Sequence, residues 1–548
     1  MNSGKRQRIY LNEGLRGATS GFAEPVGPSR LIHFINHTRQ EALESIRTNT
    51  HIQDSRMSLS PIIPTRPVRH TEKEDIPSAS HIALATQAKI RKDVIYNWSG
   101  IQSIAKRSQI HFPTTEKQVS QLVRFAPGKV HFIGSGLSYE QIMSLSLQDD
   151  NGILINMEHF KGLIKMTDTT ATFGAATTVN DIISILGDHD KMLPVSPGVI
   201  GIQTIAGAIS TGTHGQGMFQ SSYSDMVESL RVVLPDGNIR HITKGDDKYP
   251  LDAFVTSVGT LCAILEVEIK TTPRRVFFCE KSACNFEEFI GAYSQWNQEH
   301  EYVKGWWFPE TDQCHIWKVD EASAKQRDAF LATNRKAPLE STDNSDAMNS
   351  TVDKYMSAMS KDTKSHHTSD QKQFQTVKRF ADARDLVAYQ EQILCKGIPV
   401  PQINCEIAIP FERFADATRA LHRWNSENPG RLHYPFIYRA VGPSTAWINA
   451  PSRGPTMWIG FLVYVAEDGT VRSDGMETMG EIQRVLGEYG GLPHWGKHYV
   501  KETYKFQEAL PKFKEFVELR KKIDPQNKFL SQFMEKIVGG EKRMMAKL

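Results

Sequence analysis

The sequence predicts an α+β fold of two lobes, and three observations predict it. Between residues 93 and 273, short strand-like runs alternate with helical patterns around two glycine-rich turns. From 274 to 490 the chain is richer in Trp and Phe and carries two amphipathic helical stretches. From 491 to 548, Phe513, Phe516 and Val517 stand at helical spacing in a segment expected to return to the first lobe. A chain of 548 residues with 39% hydrophobic content buries a large core, and its length suits two or more domains.

Taken in order, residues 1–92 mix Pro, Ser, Arg and His without a sustained apolar period. They read as a partly disordered extension with one helix over 39–47. A helix is expected after Thr114-Thr115, then strands over 129–133, 152–156 and 171–175, and a helix over 178–186. Pro235-Asp236-Gly237 separates strand-like runs at 227–234 and 238–242, a hairpin signal rooted in the backbone angles those residues adopt. An apolar strand over 262–269 and Thr271-Thr272-Pro273 close the first lobe. The second lobe, 274–490, holds Trp306-Trp307-Phe308 and helices over 411–424 and 476–489. A polar insertion over 322–375 has too few large apolar residues to pack a core.

The most informative stretch is IQTIAGAISTGTHGQG, residues 202–217. Gly201, Gly207, Gly212, Gly215 and Gly217, with Ala206, Ala208, Ser210, Thr211 and Thr213, leave little side-chain bulk, so peptide N–H groups can approach a flat, phosphate-bearing ligand. Upstream, the 129–133 strand runs into Gly134-Ser135-Gly136-Leu137-Ser138, whose N–H groups and Ser135 and Ser138 hydroxyls suit a pyrophosphate. GSGLS lacks the glycine spacing of a dinucleotide-binding fingerprint, and a P-loop is absent.

These segments together resemble the vanillyl-alcohol-oxidase-type flavoproteins, in particular the aldonolactone oxidase group of arabinonolactone, gulonolactone and galactonolactone enzymes and alditol oxidase. Asn97-Trp98-Ser99-Gly100, His111-Phe112-Pro113, His494-Trp495-Gly496-Lys497 and Asp524-Pro525 followed by Phe529-Leu530 carry the resemblance in the family's order. It covers roughly residues 94–275 and, more loosely, 400–540. It implies a PCMH-type FAD-binding domain over 93–273, an α+β substrate (cap) domain over 274–490, and FAD lying between them. Flavin contacts are expected at Gly134, Ser135, Gly136, Leu137, Ser138, Gly198, Gly201, Thr204, Gly207, Ala208, Ser210, Thr211, Gly212, His214 and Ile264.

For the reaction, the resemblance implies that substrate carbon delivers hydride to FAD while a cation faces the flavin N1–C2=O edge. Lys497 is the expected cation, with a surface lysine as its plainer reading. His494 is either a catalytic partner or packing for Trp495. His214 either donates a hydrogen bond to flavin or substrate, or braces its glycine loop. Arg439 matches the arginine of the family's Glu-x-Arg substrate pair; a structural salt bridge is the other reading.

Three departures from the family follow. Leu137 stands where many relatives have the histidine that bonds covalently to flavin, so FAD is expected to be noncovalent; none of the six cysteines falls in the recognised motifs. Ile437 stands where the Glu-x-Arg acid belongs and Val199 replaces a small polar residue, which puts a sugar lactone in doubt and admits a less polar secondary metabolite. Gly198 leaves space where alanine in the dehydrogenases obstructs oxygen, which favours O2 over another electron acceptor. The expected activity is an FAD-dependent oxidase or dehydrogenase acting on CH–OH donors. The alternatives are a flavoprotein-derived cyclase or lyase that keeps FAD structurally, a reading motivated by the missing acid, and a catalytically silent FAD-binding protein.

Composition narrows the remaining classes. A formal charge of +3 gives no general electrostatic case for nucleic acid, and no CxxC pair or Cys/His spacing suggests a metal site. No apolar run approaches the roughly 20 residues that span a bilayer, and the N-terminus lacks a signal-peptide hydrophobic region. An intracellular protein is expected, cytoplasmic or mitochondrial. The first 40 residues carry six Arg or Lys against two Glu, compatible with a presequence or a basic leader.

Overall fold

The computed structural model describes residues 93–539 except 199, 310, 335–384, 396–401, 433–434 and 465–474. The extension 1–92, most of the insertion 322–375 and the expectation for Val199 lie outside the described residues. Of the insertion, the helix Ala324–Asn334 is described. No helix among the described residues is long and apolar enough to cross a membrane.

The first lobe is built on two main sheets. Strands Ile110–His111, Ile153–Asn156 and Val130–Ile133 form a small parallel sheet with Ile153–Asn156 at its centre. An antiparallel sheet of five strands runs Ile239–Thr243, Val227–Val233, Ala263–Lys270, Thr170–Gly174, Leu163–Met166. The hairpin closes at the Pro-Asp-Gly turn, with Ile239 paired to Val233 and Gly237 at φ +81°, an angle glycine adopts without steric cost. Helix Glu116–Phe125 starts where Thr115 caps it: the Thr115 hydroxyl accepts from the Gln118 N–H, and the Gln118 side chain returns to the Thr115 N–H. Thr178 caps helix Val179–Asp188 with its hydroxyl, which accepts from the Asp181 N–H, and Val179, Ile182, Ile183 and Leu186 bury one stripe of the helix.

The second lobe is one antiparallel sheet of eight strands, ordered Leu386–Tyr389, Val276–Asn285, Gln313–Glu321, Tyr302–Phe308, Phe436–Val441, Thr456–Tyr464, Gln402–Pro410, Leu492–Pro493. Helices Phe286–Glu299, Phe414–Glu427 and Gly475–Glu488 pack together against it. Alternation along each strand then sorts the side chains. In Tyr302–Phe308, Trp307 joins the helix-covered core, where it stacks on Phe436, while Trp306 points the other way. Paired positions on Trp306's face include Ile437, Gly460 and Glu406 in one row, and Lys304, Arg439, Trp458 and Ala408 in the next.

The C-terminal residues bind back onto the first lobe. Val130 donates to the Lys528 carbonyl (2.9 Å), and Phe132 meets Phe529 edge-on with ring centroids 5.0 Å apart. Asp524 accepts from the Lys528 and Phe529 N–H groups, both at 2.8 Å, which fixes that turn. Between Val130 and Phe132 on that strand, His131 is buried, and burial lowers its pKa to about 4 even though its Nδ1 meets the Met143 carbonyl at 3.0 Å. The native ring therefore stays neutral while an unfolded histidine binds a proton below about 6.5. Stability should fall by about 3 kcal/mol as pH drops from 6.5 to 4 on this account alone. Urea unfolding at several pH values checks it: His131→Gln should be less stable at pH 7 yet lose less on acidification, and an unchanged acid slope would remove His131 from the explanation.

Candidate active site

The Val130–Ile133 strand delivers the turn 134–138, with Gly136 at φ +66°. The turn is held from three sides. Trp98 donates its N–H to the Gly136 carbonyl (2.9 Å), and the Asn97 side-chain amide donates to the Ser138 carbonyl (3.1 Å). Ser135 donates its hydroxyl to the Ile202 carbonyl at 2.6 Å, tying the two glycine-rich segments together. A Cβ on Gly134 would run into the Thr204 side chain, so only glycine permits this approach.

Thr204 caps the short helix Ile205–Ser210. Ala206, Gly207 and Ser210 line the cleft beside the turn, while Ile205, Ala208 and Ile209 are fully buried in the core. Val258 also lines this cleft with φ 52°, a left-handed conformation that costs a β-branched residue about 1–3 kcal/mol. Its N–H is fastened to the Ser210 carbonyl at 3.0 Å.

At the far end, the face of the eight-stranded sheet opposite its helices supplies the charges. Arg439 donates from Nη2 to Glu406 Oε1, although the two lie on strands separated by a third. The intervening position is Gly460, where a Cβ would stand 3.8 Å from Glu406 Oε1 and 3.5 Å from Ile437 Cβ. The carboxylate reaches past this position, diagonally across the sheet, to the guanidinium. Ile437 carries no acid, and the carboxylate that pairs with Arg439 comes from Glu406 on another strand. No single-strand motif announces it; only the cross-strand register does.

His494 and His498 donate their N–H groups to the carbonyls of Glu406 (2.9 Å) and Asn404 (2.8 Å), which are two residues apart on one strand. The residues between bulge outward and carry Gly496 and Lys497 into the cleft. The bulge is pinned to the glycine-rich turn by Tyr139 N–H to the Gly496 carbonyl (3.3 Å) and by a buried pair, His498 Nδ1 to Glu140 Oε1 at 2.6 Å. His214 stacks on Trp458, ring centroids 4.2 Å apart at 15°, with its Nε2 3.6 Å from Glu406 Oε1.

Burial sets the protonation of this cluster. It opposes ionisation of Glu406, but Arg439 overrides it and holds the carboxyl well below its usual range. Burial lowers the pKa of His214, with Arg439 adding to the effect, and drives that of His494 well below its ordinary value. Lys497 is lowered by burial too, opposed by the nearby Glu406 carboxylate. With both histidines neutral, two cations face one carboxylate, and the site favours a ligand that gathers negative charge.

One cleft joins the turn to this cluster. It is lined by Lys497, Arg439 and His494, and by Gly134, Ser135, Gly136, Leu137, Ser138, Gly198, Thr204, Gly207, Ser210, Thr211, His214 and Ile264. Gly201, Ala208 and Gly212 do not line it. Ala208 faces the core, a Cβ on Gly201 would strike Asn180, and Gly212 turns at φ +69° beside Asn449. Glu406, Gln203, Thr213, Cys262 and Phe529 also line the cleft, beyond the residues expected from sequence. Cys262 falls in none of the recognised motifs yet lines the cleft, and burial pushes its thiol pKa up, which disfavours the reactive thiolate.

Comparison with known proteins accounts for this geometry. Residues 108–243 match the family described as FAD binding domain, and residues 267–537 match the family described as D-arabinono-1,4-lactone oxidase. L-gulono-1,4-lactone dehydrogenase of Mycobacterium tuberculosis is 23% identical over 471 residues, covering 81% of this chain and 98% of that one. L-gulonolactone oxidase of Scyliorhinus torazame is 21% identical, covering 80% and 97%. D-arabinono-1,4-lactone oxidase of Candida albicans is 25% identical over 249 residues, 43% of this chain and 44% of that one. In fold, a variant of cholesterol oxidase from Brevibacterium sterolicum superposes with a TM-score of 0.65 at 15% identity, covering 81% of this chain and 97% of that one. The residues present fit FAD: the cleft is long, floored by backbone at Gly134, Gly136 and Gly207, and cationic at its far end. This chain belongs to the FAD-dependent oxidoreductases of the aldonolactone oxidase group.

Proposed function

We propose that this chain oxidises a CH–OH group of an aldonolactone-like small molecule, with FAD held noncovalently and O2 as electron acceptor. The observation that carries this reading is the buried Glu406–Arg439 pair beside Lys497 at the end of the cleft that begins at the glycine-rich turn. Bound there, FAD supplies a two-electron hydride acceptor. Arg439 keeps a fixed fork of donors for a substrate oxygen, and the ionised Glu406 accepts from a substrate hydroxyl. Lys497, carried in on its bulge, places positive charge where negative charge gathers during the reaction.

Glu406 returns the polar partner that a hydroxyl-bearing lactone needs, so the case for a less polar substrate, built on Ile437, loses its premise. So does the cyclase or lyase reading, which the missing acid motivated. Leu137 lines the cleft with an alkyl side chain and offers no atom for a bond to flavin, which supports noncovalent binding. A Cβ on Gly198 would lie 2.9 Å from the His214 carbonyl oxygen, so packing against that loop itself demands glycine, and the O2 reading rests on the resemblance to the oxidases.

An anaerobic screen tests the reading. The FAD-loaded protein is mixed with 1,4-lactones and, separately, with a sterol-type alcohol, and the visible flavin bands are followed. A lactone should bleach them, and readmitted air should restore the colour with one hydrogen peroxide per cycle. Turnover with the flavin oxidised throughout would sink the redox reading, while bleaching by the sterol alone would sink the lactone assignment. Slow recovery in air with rapid recovery by an artificial dye would exclude O2 as the acceptor.

A further inference from the structure

The turn 134–138 forms one end of the cleft, and Lys497 stands at the other on a bulge that leaves the second lobe's sheet. Within its own lobe the bulge is fixed at its roots. The His494 and His498 N–H groups are taken up by the Glu406 and Asn404 carbonyls, and the Trp495 indole donates to the Ile448 carbonyl at 2.8 Å and stacks on Phe506. At its tip the bulge folds on itself: the Lys497 N–H donates to the His494 carbonyl (3.0 Å), and the Gly496 N–H to His494 Nδ1 (2.9 Å).

The tip is also gripped from the first lobe, by the two residues that follow the turn. Tyr139 donates its N–H to the Gly496 carbonyl, on the N-terminal side of Lys497. Glu140 Oε1 accepts from His498 Nδ1 (2.6 Å) and from the Tyr499 N–H (3.4 Å), on the C-terminal side. The Glu140 and His498 side chains are each 9% exposed, so water competes little for these bonds. Asn97 braces the same segment from behind, its side-chain amide donating to the Ser138 and Tyr139 carbonyls at 3.1 and 3.4 Å. A continuous path of hydrogen bonds thus runs from the turn through 138–140 to the residues on each side of Lys497. Neither Glu140 nor His498 lines the cleft.

We propose that Glu140 and His498 are positioning residues for Lys497, fixing the lysine-bearing bulge to the turn that cradles the cofactor's phosphates. One backbone segment then sets both the seat of the cofactor and the place of the cation, and the pair acts through the lysine without touching flavin or substrate. Such a bracket matters because a group displaced by about 1 Å can cost about 10²-fold in rate.

The inference rests on the reading of Lys497 as the cation beside flavin, and sulfite separates the two. Sulfite adds to oxidised flavin and leaves negative charge on it, which a neighbouring cation stabilises. Its affinity for the FAD-loaded protein, read from loss of the visible flavin band, therefore reports the cation's place with no substrate present. Lys497→Met should weaken sulfite binding by about 10²-fold. Glu140→Ala should keep its FAD and weaken it by about tenfold, and Glu140→Gln, which keeps an oxygen to accept from both donors, should recover most of that loss. In the Lys497→Met background Glu140→Ala should weaken sulfite no further, because the pair works through the lysine. Losses that add, or a Glu140→Ala affinity within about twofold of wild type, would overturn the proposal. Should Glu140→Ala fold poorly, His498→Ala carries the same test: it keeps the backbone N–H to the Asn404 carbonyl but not the grip on Glu140, and an unchanged sulfite affinity contradicts the bracket. If Lys497→Met itself binds sulfite as the wild type does, Lys497 is not the cation, and the proposal falls with that reading.

Discussion

Lys497→Met should slow anaerobic flavin reduction by about 10²- to 10³-fold while leaving FAD content unchanged. The lysine is placed by backbone alone: the bulge anchored at His494 and His498 carries it into the cleft, and the Glu140–His498 pair secures the bulge to the glycine-rich turn. Methionine keeps the length of the side chain and the bulge but removes the charge. Burial lowers the pKa of Lys497, against the pull of the Glu406 carboxylate, so its cation is lost at a lower pH than an exposed lysine's. The wild-type reduction rate should therefore fall at alkaline pH, and Lys497→Arg, whose charge persists, should lack that fall. Stopped-flow rates across pH measure both. An unchanged rate in Lys497→Met removes the residue from the mechanism.

Arg439→Met should be the most destabilising single change at the site, costing about 3–5 kcal/mol, because it strands the Glu406 carboxylate in a buried position. Both side chains are almost wholly buried, so solvent screens little of the effect. Glu406's depressed pKa stabilises the native protein above its unfolded value, and that contribution is lost as pH falls through the folded pKa. Arg439→Met raises the folded pKa, so the penalty should shrink on acidification. The double variant Arg439→Met/Glu406→Gln should recover most of the stability at pH 7 and none of the flavin reduction. Urea unfolding of wild type, single and double variants checks this. A double variant no more stable than Arg439→Met would show that the lost packing of the arginine, not the stranded charge, is responsible.

Much of the first lobe was legible because its signals are local. Thr115 and Thr178 announce their helices by capping, the Pro-Asp-Gly turn announces its hairpin, and the Asn-Trp-Ser-Gly and Asp-Pro motifs prove to brace the glycine-rich turn and the strand that feeds it. The second lobe was less legible. Central strands such as TMWIGFLVY and QINCEIAIP are buried on both faces and lack the alternation that marks a half-exposed strand. Within the 202–217 stretch, side-chain size could not say which residues face the ligand; helical periodicity over Ile205–Ser210 does, and it turns Ala208 inward. Glu406 was hidden for a stronger reason. Its partner Arg439 is 33 residues away, and the contact is made across an intervening strand.

The most direct measurement is the visible spectrum of the purified protein, followed by acid precipitation. Flavin bands whose colour passes to the supernatant are expected, since Leu137 offers no attachment and the buried Cys262 thiol is a poor nucleophile. Colour retained in the pellet would contradict noncovalent binding and point to Cys262, and no flavin even after added FAD would contradict the assignment of the cleft.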